Sequence, residues 1–197
     1  MRKIIFFFFI FLSLHSYPQF FKGGIFSGIT TSQLSGDRLS GFNKIGLIAG
    51  GYTEYVLKSN KEFIRFSINI NQKGSQSKST DSIYYKSKLN YIEFPLAYYF
   101  KISKKDIFLA PVIIPAYLFK TKEFDIYGEI PNQIPFRNYE IAAGISSIIK
   151  ISNLFNLRID YSNSIIPVRP HKSGYTYYFN RGQYNSLFSF IIEWKIL

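Results

Sequence analysis

The sequence predicts an all-β fold: an eight-stranded antiparallel up-and-down transmembrane β-barrel. After residue 20, no long segment has the apolar spacing of a helix, whereas apolar and polar residues alternate over segments of about ten residues. Long and short connections follow each other in turn between these segments. Aromatic residues make up 19% of the chain, which is high for a soluble domain. Together these features favour a barrel whose outer face meets lipid.

The N-terminal segment has the order of a secretory signal peptide. Arg2 and Lys3 precede an apolar run over residues 4–14, and a short polar stretch follows. This run is shorter than the roughly 20 residues that a membrane-spanning helix needs. We therefore expect residues 1–19 to be a cleaved signal peptide and residues 20–197 to form the barrel.

Eight later segments have the alternation expected of strands. From residue 64 to residue 70 every second residue is apolar and those between are polar, and from 188 to 196 every second residue is again apolar. The predicted strands cover about 22–31, 43–57, 62–73, 83–101, 106–119, 137–151, 154–165 and 182–197.

The connections between the predicted strands differ in length in a regular way. "KSNK", "ISKKD" and "SN" are short, whereas the four connections that separate them are longer and polar. Short periplasmic turns and longer extracellular loops are the layout of a bacterial outer-membrane barrel. A closed barrel also pairs every backbone group within hydrocarbon, which an open sheet does not.

A soluble lipocalin-like ligand carrier is the competing all-β interpretation. In such a barrel the apolar face would point inward and the polar face outward. The polar faces here carry many Arg, Asp and Glu residues, and aromatic residues concentrate at segment ends, as in residues 98–100 and 175–179. Both features favour a polar lumen with aromatic girdles at the membrane surfaces.

The strand "LNYIEFPLAYYF", residues 89–100, contains the spaced motif Tyr91-x-Glu93-x-Pro95-Leu96. With the glycine-rich segments "GGIFSGITTS" and "GLIAGGYTEY", it resembles the PorT-like outer-membrane β-barrel proteins of Bacteroidota. The resemblance covers about residues 20–197 and implies a barrel in the cell outer membrane, in contact with its lipid and lipopolysaccharide and recognised by the barrel-assembly machinery. The family's name-giving member is associated with gliding-linked protein secretion, so secretion-machinery proteins are further candidate partners.

Alternation places a set of charged side chains inside the barrel. Because a narrow lumen cannot hydrate them, we expect opposite charges to pair there, to hold the barrel and to leave no open pore. Glu93 is expected to pair with Arg65, and Pro95 to cause a bulge or bend. The predicted lumen network consists of Glu54, Arg65, Glu93, Glu140, Arg158, Asp160 and Glu193, with Lys150 and Lys195 on the same faces.

Catalytic signatures are sparse. The chain has no cysteine and two histidines, of which His15 lies in the signal segment. His171, near Ser173, is the one candidate for a lipid-modifying enzyme, but no acid partner stands at a defined spacing. Metal-ligand spacings, phosphate-binding loops and nucleophile elbows are absent from the sequence. The sequence thus predicts a non-enzymatic protein without cofactor or metal.

The long loop "HKSGYTYYFNRG" is a candidate extracellular binding surface for glycan, lipopolysaccharide phosphate or a partner protein, although its rings could equally extend the aromatic girdle. Its candidate residues are Lys172, Tyr175, Tyr177, Tyr178 and Arg181. The formal charge of +12 comes from scattered Lys and Arg residues rather than from a basic stripe, which argues against nucleic acid. We expect a structural, adhesion or secretion-associated role.

Overall fold

The computed structural model describes residues 21–37, 39, 41–57, 61–78, 80, 84–102, 106–131, 134–170 and 182–196. The predicted signal peptide lies outside these residues. No helix long and apolar enough to cross a membrane occurs within them.

The described chain forms ten strands. They are β1 (Phe21–Ser35), β2 (Lys44–Val56), β3 (Glu62–Lys73), β4 (Lys86–Glu93), β5 (Leu96–Lys101), β6 (Ile107–Asp125), β7 (Gly128–Glu129), β8 (Tyr139–Lys150), β9 (Phe155–Ser164) and β10 (Tyr184–Lys195).

The strands close into an eight-stranded antiparallel barrel, as the sequence predicts. β4 and β5 both pair with β3 and with β6 and together make one barrel strand, while the two-residue β7 extends β6 as a short hairpin. Pairing of β1 with β10 and of β2 with β3 closes the sheet. β6 is longer than predicted, since it continues to Asp125. The connections 57–61, 102–106 and 151–154 define the short-turn end, and the opposite end is the long-loop end.

Large apolar side chains cover the outer wall of the barrel. Along β3 every second side chain is exposed, with Ile64 at 40%, Ile68 at 51% and Ile70 at 54%, while Arg65 between them is 2% exposed. β10 repeats this arrangement with Phe188, Phe190, Ile192 and Trp194 outward. We call this outer surface the apolar belt. A soluble carrier would instead have its apolar side chains inside the barrel and its polar side chains outside.

Aromatic pairs stand near both ends of the belt. At the short-turn end the rings of Phe155 and Trp194 lie 6.4 Å apart, and at the long-loop end Tyr161 and Phe188 lie 4.7 Å apart. Rings at these two levels match the girdles that mark membrane surfaces in β-barrels.

The lumen is less uniformly polar than expected. Its wall on β5, β6 and β8 carries a buried apolar cluster that includes Phe108, Val112, Ile114 and Ile148. The sequence pattern hides this cluster, because β6 is apolar on both faces and gives no alternation there. Polar groups therefore concentrate on the remaining strands.

Of the bulge or bend expected at Pro95, the bulge is absent. Phe94 and Pro95 do interrupt the strand between β4 and β5. The register nevertheless continues unchanged, since Glu93 pairs with Ala116 and Leu96 with Ile113.

Two prolines explain the interruption. The carbonyl of Pro95 accepts the Ser67 N–H at 3.0 Å, and the carbonyl of Pro115 accepts the Phe94 N–H at 2.9 Å. In a regular ladder each of these residue pairs would exchange two hydrogen bonds, but proline has no N–H to donate the second one. The ladder loses one donor on each side of the strand, while the strands stay aligned.

The register shift lies instead between Asn90 and Tyr91, opposite β6. In β6, Leu118 is 5% and Glu123 is 8% exposed, so two inward residues are separated by an odd interval of five. A bulge produces this result, because one extra residue reverses the faces of the strand beyond it.

Gly50 allows β2 and β3 to approach closely. A Cβ there would lie 2.3 Å from the Ile68 carbonyl oxygen, whereas at neighbouring Gly51 the nearest atom would be 3.6 Å away. We expect Gly50→Ala to destabilise the barrel by about 1–3 kcal/mol through overpacking. Gly51→Ala should change stability little. Urea unfolding of the refolded proteins in detergent, followed by Trp194 fluorescence, measures both, and equal midpoints would contradict this account.

Candidate functional site

The structure places all seven residues of the predicted lumen network on the inner wall, in two groups. The arginine cluster contains Glu54, Arg65, Arg158, Asp160 and Glu193. The Lys73 cluster contains Lys73, Glu93 and Glu140 and lies nearer the long-loop end.

Arg65 is the centre of the arginine cluster. Its Nη2 donates to Glu54 Oε1 at 2.5 Å and to Glu193 Oε2 at 3.0 Å, and its Nη1 donates to Glu193 Oε1. The side chains of Arg65 and Glu193 are 2% and 0% exposed. These bonds join β3 to β2 and to β10, so one guanidinium links three strands.

A second arginine extends the cluster to β9. Arg158 Nη1 donates to Glu193 Oε1 at 2.8 Å, and its Nε donates to Asp160 Oδ2 at 3.1 Å. Asn156 Nδ2 adds a bond to Glu193 Oε2 at 3.0 Å. Glu193 therefore accepts bonds from three side chains, which is the arrangement that a buried carboxylate requires.

Aromatic rings support both guanidinium groups. The Arg65 guanidinium lies 4.1 Å from the ring centroid of Tyr52 and 5.0 Å from that of Tyr99, and Arg158 lies 4.4 Å over Phe26. Cation–π contacts gain strength where water is excluded. The inward aromatic residues thus orient the charges of the lumen.

The predicted Glu93–Arg65 pair is wrong. Glu93 Oε1 lies 2.8 Å from Lys73 Nζ, and its Oε2 accepts bonds from Asn69 at 2.6 Å and Asn71 at 3.1 Å. Arg65 lies eight residues before Lys73 on the same face of β3 and engages the arginine cluster instead. Register decides the partner, because Glu93 pairs with Asn69 across the β3–β4 ladder.

Lys73 was not among the predicted site residues, although counting by two from Arg65 places it on the inner face. Its Nζ also donates to Glu140 Oε1 at 3.0 Å, and the side chain is 1% exposed. Ser164 and Asn185 complete the bonds to Glu140, at 2.7 and 2.9 Å. The Lys73 cluster joins β3, β4, β8, β9 and β10.

A further buried ion pair, outside both clusters, stands near the long-loop end. Arg169 donates to both carboxylate oxygens of Glu123 at 2.7 Å, and the hydroxyl of Tyr85 donates to Glu123 as well. Burial opposes the charge of Arg169, but the Glu123 carboxylate outweighs it and raises the pKa of the guanidinium. Burial, with the bond to Glu123, raises the pKa of Tyr85. The sequence alternation misses this pair because the β6 bulge turns Glu123 inward.

The space between the clusters is small. A central cavity of about 30 Å³, lined by Arg65, Glu93, Arg158 and Asp160 among others, separates them. A cavity of this size has room for about two water molecules. No group of three or more His, Asp or Glu in the described ranges could hold a metal ion. The arrangement offers paired charges rather than room for a substrate.

A larger cavity of about 590 Å³ opens at the short-turn end. Lys150 and Lys195, which the sequence places on inner faces, line it together with Lys22, Glu54 and Asp106. Lys150 is exposed at this rim, and its ammonium lies 4.5 Å over the Phe108 ring. These two lysines therefore stand at the mouth of the lumen, outside both clusters.

The candidate binding loop and the candidate catalytic histidine lie outside the described residues. They comprise His171, Lys172, Ser173, Tyr175, Tyr177, Tyr178 and Arg181.

Comparison with solved structures finds barrels of the same kind. Ail, the attachment invasion locus protein of Yersinia pestis, matches 89% of this chain and 98% of its own with 12% identity and a TM-score of 0.56. Its complex with the heparin analogue sucrose octasulfate gives a TM-score of 0.55 over 90% of this chain and 100% of that one, again at 12% identity. Neisserial surface protein A matches 89% of this chain and 97% of its own with 12% identity and a TM-score of 0.50. No family model and no curated protein matches the sequence. The likeness shows a shared fold, the eight-stranded barrel of outer-membrane proteins.

Loss of the central arginine of the arginine cluster should destabilise the barrel strongly. Arg65→Met removes the cation that Glu54 and Glu193 share and leaves buried carboxylate charge uncompensated, so we expect a loss of about 3–5 kcal/mol. Lys101→Gln, which breaks the exposed pair with Asp106, is the control and should leave stability unchanged. Urea unfolding in detergent micelles measures both variants. A wild-type midpoint for Arg65→Met would contradict the central place given to Arg65.

Proposed function

We propose that the protein is a non-enzymatic β-barrel of the bacterial outer membrane, with its long-loop end facing outward. One observation carries the proposal: an apolar belt surrounds a lumen in which the carboxylates of both clusters are paired and the central cavity has a volume of about 30 Å³. Such a belt is unfavourable in water, where a large exposed apolar surface drives association. In a bilayer it is the required surface, and the closed sheet satisfies the backbone.

The paired lumen charges favour a structural role for the interior. The cavity between the clusters is too small for a solute, and every carboxylate of the predicted network accepts a hydrogen bond or ion pair from another side chain. We infer that the barrel forms no open pore and that these groups stabilise it rather than catalyse. A lipid-modifying enzyme would instead depend on His171.

A role in adhesion or secretion would then be exerted by the long-loop end, since loops on rigid scaffolds carry most binding functions. Attachment and invasion are what the name of Ail states for that protein. Association with secretion-machinery proteins follows from the resemblance to PorT-like proteins, and both that membership and insertion by the barrel-assembly machinery stay predictions.

The membrane assignment has a direct test in two exposed isoleucines. Ile68 lies in the middle of the belt, and Ile126 lies in the turn after β6, with exposures of 51% and 68%. Ile68→Lys should cost about 2–4 kcal/mol if the belt faces lipid, whereas Ile126→Lys should cost almost nothing. Urea unfolding in phospholipid vesicles, with the heat-modifiable shift on a gel as a measure of folding, compares the two. In a soluble carrier both changes would be harmless, and that outcome would refute the proposal.

The secretion-associated role has its own test. Crosslinking in intact cells, followed by mass spectrometry, should enrich secretion-machinery proteins with the wild type. A chain shortened in the candidate binding loop, between residues 171 and 181, is the matched control and should lose that enrichment while keeping its heat-modifiable shift. Equal recovery from both would argue against loop-mediated association.

A further inference from the structure

Five lysines meet in a groove of about 380 Å³ near the long-loop end, directly above the apolar belt. We call it the lysine groove. None of the residues that line it is acidic. They are Lys44, Ile45, Gln72, Lys86, Lys88, Asn90, Lys120 and Lys122.

The β6 bulge creates this surface. Tyr117 and Phe119 point outward, so regular alternation would turn Lys120 and Lys122 into the lumen. Beyond the bulge Lys120 stands opposite Asn90, and Lys122 stands opposite Lys88. Bulges commonly re-aim side chains in this way at functional surfaces. Like charges directly opposite each other destabilise a sheet, so this placement is costly on its own.

Few anionic groups of the protein compensate these charges. Lys122 pairs with Glu129 at 2.8 Å, where both side chains are partly exposed. For the other four lysines no carboxylate within 4 Å is found in the described part of the chain.

Among these four lysines, Lys44 gives the strongest evidence for an anion site. It is 4% exposed, and its ammonium donates at 2.5 Å to the carbonyl of Ile45, a neutral group. A buried ammonium without a carboxylate partner is unfavourable, and an external anion would relieve that cost. The groove therefore has the charge and the enclosure of an anion site.

The belt below the groove identifies the kind of anion. Lys88 and Ile92 both point outward on β4, four residues apart, which corresponds to about 13 Å along a strand. Ile92, Ile70 and Tyr117 belong to the belt, so the ammonium groups stand where a bilayer of about 30 Å hydrocarbon thickness gives way to headgroups. A ligand that fits both surfaces has acyl chains below and phosphate above.

We propose that the lysine groove binds the phosphate groups of a phosphorylated glycolipid in the outer leaflet. The carboxamides of Gln72 and Asn90, which lie among the lysines, supply hydrogen bonds suited to sugar hydroxyls. The inference rests on the proposed membrane location but concerns a surface separate from the lumen and from the candidate binding loop. A free phosphate would use the ammonium groups alone and gain nothing from the belt.

The test uses the full barrel in detergent, titrated with bisphosphorylated lipid A and followed by native mass spectrometry. Lys88→Gln combined with Lys120→Gln should weaken binding by about thirtyfold, from roughly 1 kcal/mol for each lysine near an anionic lipid surface. Lys22→Gln combined with Lys195→Gln removes the same charge at the short-turn end and should leave binding unchanged. Lipid A stripped of its phosphates should bind to the wild type at least as weakly as intact lipid A binds to the groove variant, which keeps three of the five lysines.

Equal affinity of the wild type and the groove variant, or of the two lipids, would overturn the proposal. Displacement by inorganic pyrophosphate at the concentration of the lipid itself would overturn the glycolipid assignment. If the glutamine variant fails to fold, Lys88→Arg with Lys120→Arg keeps the charge and should retain binding. Failure of this inference leaves the contrast between Ile68→Lys and Ile126→Lys intact, so it is distinguishable from failure of the membrane assignment.

Discussion

The barrel depends on the balance of charge in a lumen with little room for water between its charged clusters. A buried ion without a partner costs several kcal/mol, so a charged side chain on the inner wall requires an opposite charge close to it. Arg65 meets this requirement by reaching Glu54 on β2 and Glu193 on β10 at once. The Arg65–Glu193 and Lys73–Glu140 pairs connect strands that the backbone ladder does not join, and they brace the barrel across its interior.

The outer wall obeys the opposite rule. In lipid the apolar residues need no protein partner, so packing inside the barrel is left to polar groups, aromatic rings and the apolar wall of β5, β6 and β8. The hydrophobic effect then acts mainly on insertion, while ion pairs and hydrogen bonds hold the inserted form together. This division explains why a barrel whose lumen carboxylates are paired exposes Ile, Phe and Trp on the outer face of its described strands.

The sequence predicts the strands and their faces well because alternation has a period of two and each strand crosses the same thickness. It fails where that period breaks. The bulge beside Asn90 and Tyr91 reverses the end of β6, so the inward Glu123 and the outward Lys120 could not be placed by counting. The partner of Glu93 was missed for another reason: pairing depends on the offset between strands, and loop lengths do not determine that offset. Pro95 and Pro115 each remove a hydrogen-bond donor from the strand ladder, yet the register of the strands does not shift.

The bond between Arg65 and Glu193 has a consequence for biosynthesis. Its two residues stand 128 positions apart, and Glu193 lies on β10, which is synthesised after every other described strand. A chain that has not yet placed β10 carries the Arg65 guanidinium without one of its two carboxylates and a sheet with two open edges. Both defects disappear in the same step. Closure of the barrel by β10 thus completes the ion pairs of Arg65 at the same time as it removes both open edges.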